Sequence, residues 1–297
     1  MTVIKCNGVT KTYGAHQVLS NINFSIEEGV LTGIIGRNGV GKTTLMKMIV
    51  GFLRESSGSI QVFGEQPFNN LKVSANTIFI DDAMHFPDSM TLQDILTECQ
   101  RFYPNWDGEL ASRLISYFVF HLGGKHRLLS KGKKSTFNAI IGLAAHCALT
   151  IFDEPTTGMD AAVRKDFYRA LLKDYSAHPR TILVSSHHIE EIEDLLEDIL
   201  LVHEGKVQFH GPITDLQEMF VTLQGTAELL AIHTQDKNII SQHTLGPYSE
   251  WLVENTFTDD QIKHLQASGI SLSPVSANDA YIALTTKAQG GIDHVFN

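Results

Sequence analysis

Residues 36–43, Gly-Arg-Asn-Gly-Val-Gly-Lys-Thr, read G-x-x-x-x-G-K-T. They directly follow the apolar run Leu31–Ile35 and lead into a segment where Leu45, Met48, Ile49 and Phe52 fall at i, i+3, i+4 and i+7, the spacing of one buried helix face. Strand, glycine loop and helix in that order make a phosphate-binding P-loop, and no other feature restricts the fold so tightly. Gly36, Asn38, Gly39 and Gly41 let successive backbone N–H groups curl around a phosphate at the positive end of the helix. Lys42 reaches the outer phosphates, the Thr43 hydroxyl suits Mg2+, and Thr44 belongs to the same phosphate-binding set.

A P-loop needs a second strand that carries a carboxylate. Residues 148–154, Ala-Leu-Thr-Ile-Phe-Asp-Glu, supply a buried strand ending in two acids. Asp153 would hold Mg2+ through water, and Glu154 is placed to polarise a water against the terminal phosphate. Another apolar strand, residues 181–185, runs into Ser185-Ser186-His187-His188, where one histidine can read that phosphate. The two histidines make a poor metal site, because adjacent side chains diverge and no third ligand is near. Between these motifs lies Leu129-Ser130-Lys131-Gly132-Lys133-Lys134, opening a helix. Ser130 suits an N-cap and, with Gly132, an anion site; three lysines there oppose the helix dipole unless an anion arrives.

Around these motifs the chain alternates helix and strand, which predicts an α/β P-loop NTPase core with a mostly parallel sheet. Residues 1–30 read as antiparallel strands joined by turns at Asn-Gly and Glu-Glu-Gly, with Tyr13 in a turn. Residues 85–134 carry no strand signal: Thr91 caps a helix with Leu92, Ile95, Leu96 and Cys99 on one face, and Asp107 caps another with Leu110, Leu114, Tyr117, Phe118 and Leu122. This block is an inserted helical subdomain. Later elements are a helix with Phe137, Ile140, Ile141 and Ala144 inward, a helix after Asp160, a helix from Ile189 and a strand at 199–203. The core therefore spans residues 1–218. Residues 219–297 form a small α+β module with strands near 227–234 and helices near 259–266 and 277–284, and only the last ten residues read as open to disorder.

The 297 residues are 43% hydrophobic, ample for such a core, and the net charge of −10 argues against a nucleic-acid surface. Cys6, Cys99 and Cys147 sit among apolar neighbours and suit reduced core thiols of the cytosol. The N-terminus has no signal-peptide core, and the longest largely apolar run, residues 139–152, is too short to span a bilayer.

The P-loop, Leu-Ser-x-Gly at 129–132, Ile-Phe-Asp-Glu-Pro-Thr at 151–156, Gly158-Met159-Asp160 and Ser186-His187 together resemble, in order and spacing, the ATP-binding subunit of an ABC transporter. The resemblance covers about residues 1–215. It implies that Tyr13 stacks on adenine, Glu154 is the catalytic base, His187 the switch residue and Asp160 an acid facing a second subunit. ATP and Mg2+ would lie between the P-loop of one subunit and Ser130 and Gly132 of another, so the chain would act as a homodimer or as a heterodimer with a homologous ATPase subunit.

Two departures stand out. Lys131 and Lys133 replace the usual Gly and Gln around Gly132, and Asp82 stands where the family places a Gln beside the metal. The Leu-Ser-Lys-Gly form and Tyr103-Pro104-Asn105-Trp106-Asp107 resemble the exporter branch in which ATPase and membrane chains are separate, and Val275 to Tyr281 is similar to a tail motif of that branch. The implied protein is an ATPase held on the inner face of the cell membrane by an integral permease. Its rivals are a soluble ABC ATPase working on ribosomes or DNA, and an ATP-binding regulatory sensor.

Overall fold

The structure, a computed structural model, describes residues 1–285; the last ten residues, expected to be open to disorder, lie outside the described residues. It opens on a hairpin, β1 (Thr2–Tyr13) and β2 (His16–Glu27), in which Ile4, Cys6 and Val9 pair across with Ile26, Phe24 and Ile22 and enter one core. The Asn7-Gly8 pair, expected as a turn, is instead a β-bulge inside β1. Gly8 has φ +59° and the register shifts between Cys6 and Val9, so the strand bends and continues. The reversal falls at Gly14, and Tyr13 closes the strand.

β3 (Leu31–Ile35) is buried throughout and runs through the P-loop into α1 (Lys42–Ile49), whose Leu45, Met46, Met48 and Ile49 are buried, while Phe52, expected on the same face, lies beyond the end of the helix and is exposed. β4 (Ser57–Val62) pairs with β1, completing an antiparallel sheet in the order β2-β1-β4. After α2 (Leu71–Ala75) and β5 (Thr77–Ile80) comes the helical insertion, α3 (Leu92–Phe102) and α4 (Gly108–Tyr117). Thr91 and Asp94 close a capping box on α3, and Asp107 caps α4 through Leu110 N. The face of α4 differs from expectation: Ala111, Ile115 and Phe118 are buried, while Tyr117 is exposed and donates its hydroxyl hydrogen to Asp166.

α5 (Lys131–Ala144), β6 (Leu149–Asp153), α6 (Ala161–Ala177), β7 (Thr181–Ser186), β8 (Asp198–His203) and β9 (Lys206–Pro212) complete the core. The sheet order is β5-β6-β7-β3-β8-β9, with β5, β6, β7, β3 and β8 parallel. The carboxyl ends of β3, β6 and β7 therefore lie side by side, where open α/β sheets bind ligands. Residues 189–195, expected as a helix, form two short 3-10 turns. Ile189 and Ile192 are buried three residues apart, a 3-10 spacing, within an otherwise acidic run. The three cysteines are buried and free, and burial pushes each thiol up to about 12.

The chain divides into two compact units at Gly211. The second holds α7 (Ile213–Glu218), β10 (Phe220–Gly225), α8 (Ala227–His233), β11 (Ile239–Leu245), β12 (Tyr248–Glu254), α9 (Asp259–Ala267), β13 (Ser271–Pro274) and α10 (Ala277–Thr285). The division falls within β9, ahead of the residue 218 expected from the sequence, and α7 packs on β10 and α10. The expected strand at 227–234 is the helix α8. Thr226 caps it through Leu229 N, and Leu230 is its buried residue; the strand precedes it. The antiparallel sheet, β11-β12-β10-β13, with β-α-β-β-α-β order is the split βαβ arrangement, built over Val221, Leu223, Trp251, Val253 and Leu265.

Candidate nucleotide-binding site

The P-loop glycines answer to geometry. Gly41 caps α1 at φ +106°, and a Cβ there would lie 2.6 Å from the Leu19 side chain. At Gly36 a Cβ would lie 2.3 Å from the carbonyl oxygen of Val202, because β8 runs alongside. Asn38 and Gly39 form the exposed crown of the loop, and Thr44 lies half-buried in the first turn of α1. Lys42 is buried; its Nζ donates to the carbonyls of Gly36 at 2.6 Å and Arg37 at 3.4 Å.

The ends of β6 and β7 bring the acids and a histidine to the same place. Thr43 Oγ1 donates to Asp153 Oδ2 at 2.6 Å, and Ser185 Oγ donates to Asp153 Oδ1 at 2.6 Å. Burial raises the Asp153 carboxyl above the usual carboxylate range, against the hydrogen bonds from Ser185 and Thr43; the neighbouring Glu154 charge adds to the rise and Lys42 opposes it. Glu154 holds a left-handed φ of +48°, costly for a side chain with a Cβ, and its N–H donates to Ser185 Oγ at 2.9 Å. Its Oε2 is 2.8 Å from His187 Nδ1 and its Oε1 3.3 Å from Lys42 Nζ. Lys42, Thr43, Asp153, Glu154 and His187 thus converge. Ser185, which holds both acids in place, has no motif of its own; its position ahead of Ser186-His187 at a strand end is the signal that marks it.

Ser130, Gly132 and Asp160 gather elsewhere. They line a cavity of about 480 Å3 with Lys133, Gly158 and Asp166, to which no P-loop residue contributes. Ser130 caps α5 through Lys133 N, and Asp160 caps α6 through Val163 N at 2.9 Å. Lys133 is engaged within the helical insertion. Its Nζ donates to the carbonyl of Phe118 at 2.5 Å and sits 4.7 Å from the Phe120 ring centre, a cation closing the carboxyl end of α4. Gly132 packs so tightly on the loop before α6 that a Cβ would lie 2.2 Å from the Gly158 carbonyl oxygen. Gly132→Ala is expected to lower stability by about 1–3 kcal/mol, read as a lower urea midpoint at unchanged slope.

Asp82, expected beside the metal, lies on the surface next to the helix that Ser130 caps. Its carboxylate pairs with Lys131 Nζ at 3.6 Å, both groups exposed, and makes no bond to Thr43 or Asp153. Consecutive side chains diverge, and it is Asp81 that turns toward the P-loop helix, 3.4 Å from Lys47. Tyr13 is 46% exposed, with Lys11 Nζ over its ring 4.9 Å from the centre.

Comparison with known proteins gives a consistent result. The ABC transporter family profile matches residues 19–157. The chain is 27% identical to the ABC transporter ATP-binding protein YtrB of Bacillus subtilis over 286 residues, covering 95% of this chain and 97% of that protein. It is 30% identical to the bacitracin transport ATP-binding protein BcrA of Bacillus licheniformis over 224 residues, 73% of this chain and 72% of that protein. Among solved structures, an ATP-binding subunit of an ABC transporter superposes with TM-score 0.65 at 22% identity, over 73% of this chain and 92% of that one. A bacterial ABC transporter cassette solved as a dimer superposes with TM-score 0.62 at 22% identity, over 70% and 98%.

Proposed function

This chain belongs to the ABC transporter family of ATP-binding, ATP-hydrolysing proteins, and we propose that it is the separate ATPase subunit of a membrane exporter, working by closure of two subunits on ATP. The observation that carries the reading is the separation of two half-sites. The phosphate-binding and acidic group at the ends of β3, β6 and β7 and the Ser130, Gly132, Asp160 cavity share no lining residue. A complete site needs the first group of one subunit and the second of another.

In that closed site Lys42 exchanges its backbone carbonyl partners for the outer phosphates. Thr43 and Asp153 offer a hydroxyl and a buried carboxylate 2.6 Å apart, a hard-oxygen pair suited to Mg2+, which when bound neutralises phosphate charge. Glu154 accepts the proton of the attacking water, and His187 holds the carboxylate in line. Lys42→Met removes a charged donor and is expected to weaken ATP binding about ten- to a hundredfold, read by nucleotide fluorescence titration.

Among the described residues no helix is long and apolar enough to cross a membrane, and in this reading the permease is a separate chain. Its docking place is a groove of about 520 Å3 lined by Lys47, Phe52, Phe79, Met84, Phe102 and Tyr103. Phe52 and Phe102 are 62% and 71% exposed, an apolar surface beside both the P-loop helix and the helical insertion. Closure is tested by light scattering on the Glu154→Gln chain: mass should double with ATP and Mg2+ but not with ADP. A mass that stays single with ATP would contradict self-pairing.

A further inference from the structure

Beside the amino ends of β6 and β7, opposite the carboxyl ends that carry Asp153 and Ser185, His146, Asp174 and His178 meet. His146 follows the last turn of α5 with a left-handed φ of +43°, where the chain leaves the helix for β6. Asp174 and His178 lie one turn apart at the end of α6, the i, i+4 spacing that puts two side chains on one helix face. His146 Nε2 is 2.8 Å and His178 Nδ1 3.5 Å from the same oxygen, Asp174 Oδ1. The two imidazole rings lie 4.7 Å apart at 38°. One ligand atom from each residue falls within 4.8 Å of the others, and among the described residues this is the one such trio of His, Cys, Asp or Glu.

We infer that this trio is a binding site for a divalent transition cation of the Zn2+ class, a function separate from ATP chemistry. The donor set decides the class. Two imidazoles and one carboxylate suit Zn2+, Co2+ or Ni2+ and not the hard Mg2+ or Ca2+. Ligands about 2.0–2.2 Å from a tetrahedral Zn2+ stand roughly 3.3 Å from one another, and the two ligand separations from Oδ1 bracket that value.

The surrounding shell is also that of a site. Arg180, itself buried, donates to Asp174 Oδ2 at 2.8 Å, which fixes the carboxylate and leaves Oδ1 to the histidines. Arg180 is anchored in turn by the carbonyls of Leu143 at 3.3 Å and His178 at 3.2 Å. His178 is exposed, so a cation can enter from solvent and keep a water as its fourth ligand. The consequence is mechanical: the cation would clamp the carboxyl ends of α5 and α6, the two helices whose amino ends carry Ser130, Gly132 and Asp160.

The test uses the full chain, stripped with chelator and then titrated with ZnCl2 alone, with bound metal counted by elemental analysis after gel filtration. One Zn2+ per chain is expected, with a rise in melting temperature. His178→Ala, at an exposed position, and His146→Gln should each weaken binding by more than about tenfold while ATP binding stays at the parent value. Failure of the parent to retain Zn2+ would overturn the inference and leave the trio a hydrogen-bonded tie between helices. Equal retention by parent and both variants would overturn it too, placing the metal elsewhere.

Discussion

Glu154→Gln is expected to slow ATP turnover by about a hundredfold or more while ATP binding stays close to the parent value. The substitution keeps the shape of the side chain and an oxygen for His187, which sits 2.8 Å from the present Oε2. What it removes is the proton acceptor, together with the negative charge 3.3 Å from Lys42. A hundredfold loss corresponds to about 2.7 kcal/mol of barrier, within the range of a positioned general base. Phosphate release and equilibrium ATP binding, measured on the same preparation, separate the two effects. Equal rates in variant and parent would remove Glu154 from the chemistry.

Asp174→Asn is expected to destabilise the first unit by about 3 kcal/mol, because it leaves Arg180 buried opposite a neutral group. Burial alone would raise the Asp174 carboxyl, but the hydrogen bond from His146 and the charge and hydrogen bond of Arg180 outweigh it and hold the carboxyl below the usual range. The sign of the pH dependence follows. A carboxyl whose folded value is depressed contributes its stability in full above the ordinary carboxylate range and loses it as pH falls through the depressed value. The gap between parent and variant should therefore be constant near neutrality and shrink in acid. Urea unfolding in chelator, followed by a probe in the first unit, reads it; a gap that widened in acid would contradict the assignment.

Much of the nucleotide site was legible because its requirements are local. A phosphate cradle needs glycines at fixed spacing, and a metal-binding acid needs a buried strand ending at the sheet edge. Residues 36–43 and 153–154 therefore stand out by residue type and order, whereas the roles expected of 129–132 and His187 came from the resemblance of the whole motif order. The misreadings share another cause, that local propensity underdetermines context. Asn7-Gly8 has turn chemistry, but flanking apolar residues keep both sides in one strand, so it becomes a bulge. Residues 227–233 have a mixed pattern, and the Thr226 cap decides for helix. Asp81 and Asp82 are indistinguishable by type, and only the turn of the backbone assigns one to Lys47 and the other to Lys131. Ser185 and the His146, Asp174, His178 trio are tertiary products: residues remote in the chain meet because β6 and β7 are neighbours and α5 packs on α6.

The measurement that bears most directly on the transport assignment is recovery of the tagged chain from its own cell after membranes are solubilised in mild detergent, with identification of what accompanies it. The account expects a protein with several membrane spans, lost when Phe52 and Phe102 in the exposed groove are replaced by Asp. Recovery from the soluble fraction alone, with ribosomes, DNA or a regulatory protein attached, would contradict it.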